Sequence, residues 1–192
     1  MVRLERRTLT ELVQASSLRF AKRTAFSLFS EGTLSNLVTY EDFGKLSSGI
    51  ASILQQLGLK KGDRVMLLSE NRPEWPISFF GISLAGMIIV PILTDFIAEH
   101  IGTVAQHAEI SAVCATEKTL AKITSAGISE AIPLLRIDKM DNQGIMVALK
   151  GQEIKMEFKP LIPYKAQEDE VATIIYTSGT TGSSKGVMLS HR

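Results

Sequence analysis

At 192 residues, with 45% hydrophobic side chains, the chain is long enough for one full core and too apolar for a disordered segment. Twenty-one Lys and Arg balance twenty Asp and Glu for a net charge of +1, with no polybasic run, so a nucleic-acid or polyanionic partner is not expected. The single cysteine, Cys114, excludes an internal disulfide framework and, lying in the apolar run 111–115, reads as a buried structural thiol rather than a nucleophile.

Residues 1–13 scatter the charges of Arg3, Glu5, Arg6, Arg7 and Glu11 and lack the apolar stretch of a secretion signal, which predicts a reducing, cytoplasmic location. Thr8-Leu9-Thr10-Glu11 reads as a capping box opening a helix to about Ala21, with Leu9, Leu12, Val13 and Phe20 on its apolar side. Two alternating segments around the turn Glu31-Gly32 predict a hairpin. A second helix follows, capped by Thr39 and Asp42. Its apolar positions Phe43, Leu46, Ile50, Leu54 and Leu57 recur every three or four residues, and Gly58 supplies the C-terminal turn.

From Arg64 to Ser69 apolar residues stand at consecutive positions, as in a strand covered on both faces of a parallel sheet. The charge-free stretch 75–94 has the length of a membrane span. Pro76 in a first helical turn, Gly86 at a helix end and the strand Met87-Ile88-Ile89-Val90-Pro91 resolve it instead into a helix and a strand. A helical stripe of Ile97, Ile101, Val104 and Ala105 and a strand at 111–115 continue the alternation. Residues 139–170 break it and read as irregular or as short antiparallel pieces. Met66, Met87 and Met188 lie in apolar strands and are expected in the core, as is Trp75. His100 and His107 share one helix without carboxylate or thiolate partners at ligand spacing, so no metal site is expected, and His191 is expected to begin a further helix.

The strand Val171-Ala172-Thr173-Ile174-Ile175-Tyr176 runs directly into Thr177-Ser178-Gly179-Thr180-Thr181-Gly182-Ser183-Ser184-Lys185-Gly186, and Val187-Met188-Leu189 reads as another buried strand. Glycines let backbone amides converge on one point, hydroxyls add donors and Lys185 adds a cation, a combination suited to a polyphosphate. A flexible linker of the same composition has no reason to join two buried strands. A Walker loop needs Gly before and Ser or Thr after the lysine, where Ser184 and Gly186 stand, and Gly179-Thr180-Thr181-Gly182 does not make a dinucleotide fingerprint.

Residues 176–186, with Val187-Met188-Leu189-Ser190-His191, closely resemble the phosphate loop of the AMP-forming adenylating enzymes: acyl-CoA synthetases, luciferases and peptide-synthetase adenylation domains. Val38-Thr39-Tyr40-Glu41-Asp42-Phe43 is similar to an early motif of that family. Gly62-Asp63-Arg64-Val65, Glu70-Asn71-Arg72-Pro73-Glu74-Trp75, Ala85-Gly86 and Val90-Pro91 look like its long-chain fatty acyl branch. One departure stands out: Ser184 occupies the family's usual proline position, which loosens the loop without removing a donor.

The resemblance implies an α/β fold, a mostly parallel sheet flanked by helices, forming the N-terminal part of the large domain of an AMP-forming ligase. Residues 1–57 would belong to an incomplete neighbouring subdomain, loosely held, swapped or paired in a homodimer, and residues 58–192 to an α/β subdomain ending just after the loop. It further implies a long-chain fatty acid–CoA ligase that makes an acyl-adenylate from a fatty acid and ATP and passes the acyl group to coenzyme A, with Mg²⁺ accompanying ATP. Thr177, Ser178, Gly179, Thr180, Thr181, Gly182 and Lys185 are the implied phosphate-binding set, Lys185 as an electrostatic aid rather than a proton carrier. The family's adenine, ribose and catalytic-lysine segments fall beyond Arg192, so no catalytic residue is expected here, and the 192 residues are expected to be an inactive N-terminal fragment. Another acyl acceptor, such as a carrier protein, and a non-catalytic nucleotide-binding homologue remain open, as does peripheral membrane contact.

Overall fold

A computed structural model describes residues 4–30, 32–177 and 185–192, the side chain of Ser30 excepted. Its elements in chain order are α1 (Leu9–Arg19), β1 (Thr24–Ser30), β2 (Thr33–Thr39), α2 (Tyr40–Gln56), β3 (Arg64–Leu68), α3 (Glu74–Leu84), β4 (Ile88–Ile92), α4 (Ala98–His107), β5 (Ile110–Ala115), α5 (Glu117–Ser125), β6 (Leu134–Met140), β7 (Gly144–Leu149), β8 (Gln152–Glu157), β9 (Val171–Thr177) and β10 (Lys185–Ser190). The strands form a two-stranded hairpin, β1-β2, and an eight-stranded sheet ordered β10-β9-β4-β3-β5-β6-β7-β8. Its central run, β9-β4-β3-β5-β6, is parallel, and β10, β7 and β8 add antiparallel strands at the two sides. The fold is the mostly parallel, helix-flanked sheet that the alternating signals predict.

The consecutive apolar residues of β3 divide between the faces because successive side chains on a strand point opposite ways. Val65 and Leu67 join Ile50, Ile53 and Leu54 of α2 and Ile77, Ile82 and Leu84 of α3 in one core cluster. Met66 and Leu68 join Ile101 and Val104 of α4 and Ile123 of α5 in the other. Val13 of α1 and Phe43 of α2 lie in the first cluster, so residues on both sides of position 57 share one core.

Thr39 caps α2 as expected, its hydroxyl accepting the Asp42 amide at 3.1 Å. Gly58 and Gly86 follow α2 and α3 at φ +86° and +77°, conformations that cost glycine little. At α1 only half of the capping box forms. Thr8 accepts the Glu11 amide, but the Glu11 carboxylate takes the amides of Glu5 and Arg6 instead of closing onto Thr8, because the chain before the helix folds back over its first turn. Only Val13 of the four expected apolar positions of α1 is fully buried, and Leu12 is exposed. Trp75 is half-buried, stacked on Phe79 with ring centroids 5.3 Å apart.

Met66 and Met87 are buried, but Met188 is 68% exposed, and all of β10 is exposed. Its apolar composition promised burial; its place at the sheet edge, with no helix over it among the described residues, withholds it. His191 follows β10 outside any regular element and accepts the Leu9 amide at 3.3 Å. No helix among the described residues is long and apolar enough to cross a membrane.

Candidate phosphate-binding site

β9 lies beside β4 in the parallel run, so its C-terminal end opens on the edge where ligands collect in open α/β sheets. Leaving that end, the chain returns as β10, with Thr177 opposite Lys185 and Tyr176 opposite Gly186. β9 and β10 thus form an antiparallel stem on either side of residues 178–184 in the sequence. Of the residues named from sequence for phosphate binding, the stem brings together Thr177 and Lys185, both exposed. Ser178, Gly179, Thr180, Thr181 and Gly182 lie outside the described residues, as does Ser184.

The base of the stem is anchored by two side chains. Thr173 donates its hydroxyl to the Ile89 carbonyl of β4 at 2.9 Å, at the one position where the β4 and β9 backbones register. Tyr176, 6% exposed, turns into the cluster beneath α4, and its hydroxyl shares a 2.6 Å hydrogen bond with Nδ1 of His107, the last residue of α4. The Tyr176 ring crosses the space a side chain at Gly186 would fill: a Cβ there would stand 3.1 Å from its Cζ and 3.0 Å from Ile174 Cγ2. A side chain directly after the lysine would press on both of these neighbours and make them give by a few tenths of an ångström.

The parallel strands reverse direction of crossover at β3. From β3 the chain passes through α3 on one face to β4, and from β5 through α5 on the other face to β6. The crevice between the carboxyl ends of β3 and β5 is filled by protein polar groups. Thr116 donates to Glu70 at 2.6 Å, and Arg72 pairs with Glu70 at 3.3 Å and Glu74 at 2.8 Å. Burial pushes the Glu70 carboxyl up, but the Thr116 hydroxyl, its own backbone and Arg72 outweigh it and hold it below the usual carboxylate range. Nearby, the buried guanidinium of Arg136 is held by Asp138, Glu117 and Glu153. These groups satisfy one another and leave no convergent donor set for a ligand.

Among the described residues no three His, Cys, Asp or Glu side chains gather as metal ligands. His100 packs edge-on to Phe96, and His107 is taken up by Tyr176. Cys114 is fully buried, and burial pushes its thiol up to about 12, so it is no nucleophile at neutral pH. Sequence reasoning did not find the His107–Tyr176 bond or the Arg136 cluster, because each joins residues whose spacing along the chain carries no periodic signal.

A mostly parallel α/β sheet flanked by helices, with β9 and β10 paired at one side, is the class of fold this chain adopts. The same fold occurs in a fatty acyl-adenylate ligase of L. pneumophila, solved with acyl adenylate and pyrophosphate, at a TM-score of 0.75 and 22% identity over 97% of this chain and 31% of that one. Residues 13–192 match the AMP-binding enzyme family, and the chain belongs to it. A fatty acyl-CoA synthetase of Dictyostelium discoideum is 33% identical over 80% of this chain and 25% of its own length. A long-chain-fatty-acid–CoA ligase of Salmonella typhimurium is 32% identical over 96% of this chain and 37% of its own. The chain thus spans between a quarter and two-fifths of these curated relatives.

Proposed function

We propose that residues 177–186 grip the β- and γ-phosphates of MgATP, and that the chain is the N-terminal part of an AMP-forming long-chain fatty acid–CoA ligase. The observation that carries the reading is the stem. A loop of glycines and hydroxyls is closed by Thr177 opposite Lys185 at the carboxyl end of a parallel-sheet strand, in a chain of the AMP-binding family. In the first half-reaction a fatty acid carboxylate oxygen attacks the α-phosphorus, the bond to the β-phosphate oxygen breaks, and pyrophosphate leaves with the bond's electron pair. Thr177, Ser178, Gly179, Thr180, Thr181 and Gly182 would donate to the departing phosphates, and Lys185 would offset their charge, in a site whose donors are fixed beforehand. Mg²⁺ arrives with ATP and screens the same charge. In the second half-reaction the coenzyme A thiol displaces AMP from the acyl carbon.

Support for the fatty acyl substrate comes from relatives named for fatty acids and long-chain fatty acids. A cytoplasmic location and pairing between copies through residues 1–57 belong to the same reading. So does the division into a neighbouring subdomain at 1–57 and the loop-bearing subdomain at 58–192, with Leu28, Phe29, Leu34 and Leu37 of the hairpin standing exposed for contact. In this reading the chain forms one wall of the adenylation site and catalyses nothing alone. The 192 residues should bind MgATP, pyrophosphate should displace it far better than AMP, and ATP–pyrophosphate exchange with a long-chain fatty acid should stay at background. Equal displacement by AMP would contradict the phosphate assignment, and exchange above background would contradict the one-wall reading.

A further inference from the structure

Between Thr173 and the loop, β9 has no registered backbone partner on the β4 side. Its partner on the other side, β10, is an edge strand exposed along its whole length. Toward the loop, the Tyr176 side chain, which reaches under α4 and ends on His107, ties the stem to the body of the sheet, beside Ile174 packed against the same cluster. The two rings also meet edge-on, with centroids 5.7 Å apart at 87°. A buried phenol without a hydrogen-bond partner is costly, so the imidazole both satisfies the hydroxyl and fixes where the ring ends. Burial pushes the phenol up from its ordinary value, which keeps the hydroxyl neutral and bonded. The ring in turn sits against Gly186, one residue past Lys185, so its position is transmitted to both sides of the stem.

We propose that His107 is a positioning residue: through its hydrogen bond to Tyr176 it holds the stem of the 177–186 loop against α4 and so sets where Thr177 and Lys185 stand. Its link to nucleotide affinity rests on the phosphate-loop reading, whereas its link to the stem does not. His107 touches no phosphate in this scheme and acts only through Tyr176.

The test compares the wild-type 192-residue chain with His107→Phe, His107→Gln, Tyr176→Phe and the double variant His107→Phe/Tyr176→Phe. Hydrogen exchange is followed at the amides of Thr177, Lys185 and Gly186, with those of Val65, Met66 and Leu67 as reference, and the MgATP dissociation constant is measured in parallel. Loss of one buried hydrogen bond predicts that His107→Phe and Tyr176→Phe each speed stem exchange and weaken MgATP binding by roughly three- to tenfold. The double variant should be no worse than either single one, because both remove the same bond. His107→Gln, which can still bond the phenol, should recover most of the loss, and exchange in β3 should not change. Stem exchange unaltered in both single variants overturns the proposal, as does an equal rise in β3, which would mark a general loss of stability. Should the wild type fail to bind MgATP, the phosphate reading falls while the stem exchange still decides the role of His107.

Discussion

Cys114 shows how far burial alone settles the chemistry of one residue. It sits at mid-sheet in β5 with no exposed surface, and desolvation disfavours the thiolate that any reaction needs. Iodoacetamide at pH 8 should therefore modify it at least about a hundredfold more slowly in the native chain than in urea, since a thiol near its ordinary pKa carries far more thiolate at that pH. Alkylation at the unfolded rate would contradict its placement. The burial expected of this residue from the apolar run 111–115 is realised because β5 lies inside the sheet, between β3 and β6. The burial expected of Met188 is not. Its neighbours are as apolar as those of Met66, but sequence cannot distinguish a central strand from an edge strand, and only topology put one inside and the other out. His107 and Tyr176 stand 69 residues apart, and nothing along the chain announces that they meet.

Among the helix pairs, α2 and α3 share the most extensive contact, and a glycine makes their approach possible. A Cβ on Gly81 would come within 2.7 Å of Ile50 Cβ and 2.8 Å of the Ser47 carbonyl oxygen, neither of which can swing away as a flexible side-chain tip can. Gly81→Ala should force the helices apart and cost about 1–3 kcal/mol by overpacking, outweighing the usual helix-favouring gain from alanine. Urea unfolding checks this; a variant as stable as wild type would contradict the crossing. The helices and strands up to residue 115, and β9, were legible because apolar patterning and glycine stops set them apart along the chain. Between 116 and 170 the signals conflict. α5 is only 9 residues long and buries Thr119 alongside Ile123, and β6 carries the buried Arg136 in mid-strand, so neither shows the apolar pattern of its class. The cause is the Arg136 ion cluster, which replaces apolar contacts at this side of the sheet with Asp138, Glu117 and Glu153.

At the scale of the whole molecule, N- and C-terminal segments meet around Glu170. Its carboxylate pairs with Lys61 and accepts from Tyr164, its carbonyl accepts the His191 amide, and the His191 ring accepts the Leu9 amide. Burial lowers the His191 pKa below its ordinary 6.5, with Glu170 opposing, so the folded state favours the neutral ring. Glu170, Glu70 and Asp138 are also held below the usual carboxylate range, although burial pushes each of them up: pairing and hydrogen bonds win. All four groups bind protons less readily when folded, so each contributes stability that is present above its unfolded value and lost as pH falls through to the folded one. Stability should begin to decline as pH drops through about 6.5 and fall further below about 4.5. His191→Asn should remove the first step and spare the second in urea midpoints taken at pH 8, 5.5 and 4. A midpoint that rises between pH 8 and 5.5 would contradict this arrangement. The fold as a whole and the family were legible in sequence, while the pairing of Thr177 with Lys185 needed the sheet order. Whether this stem presents a phosphate grip is tested most directly by the dissociation constant of MgATP for the 192-residue chain and for Lys185→Met. Loss of a charged contact predicts weakening of about tenfold or more, with pyrophosphate losing affinity in parallel. Equal affinities in the two proteins would contradict that grip.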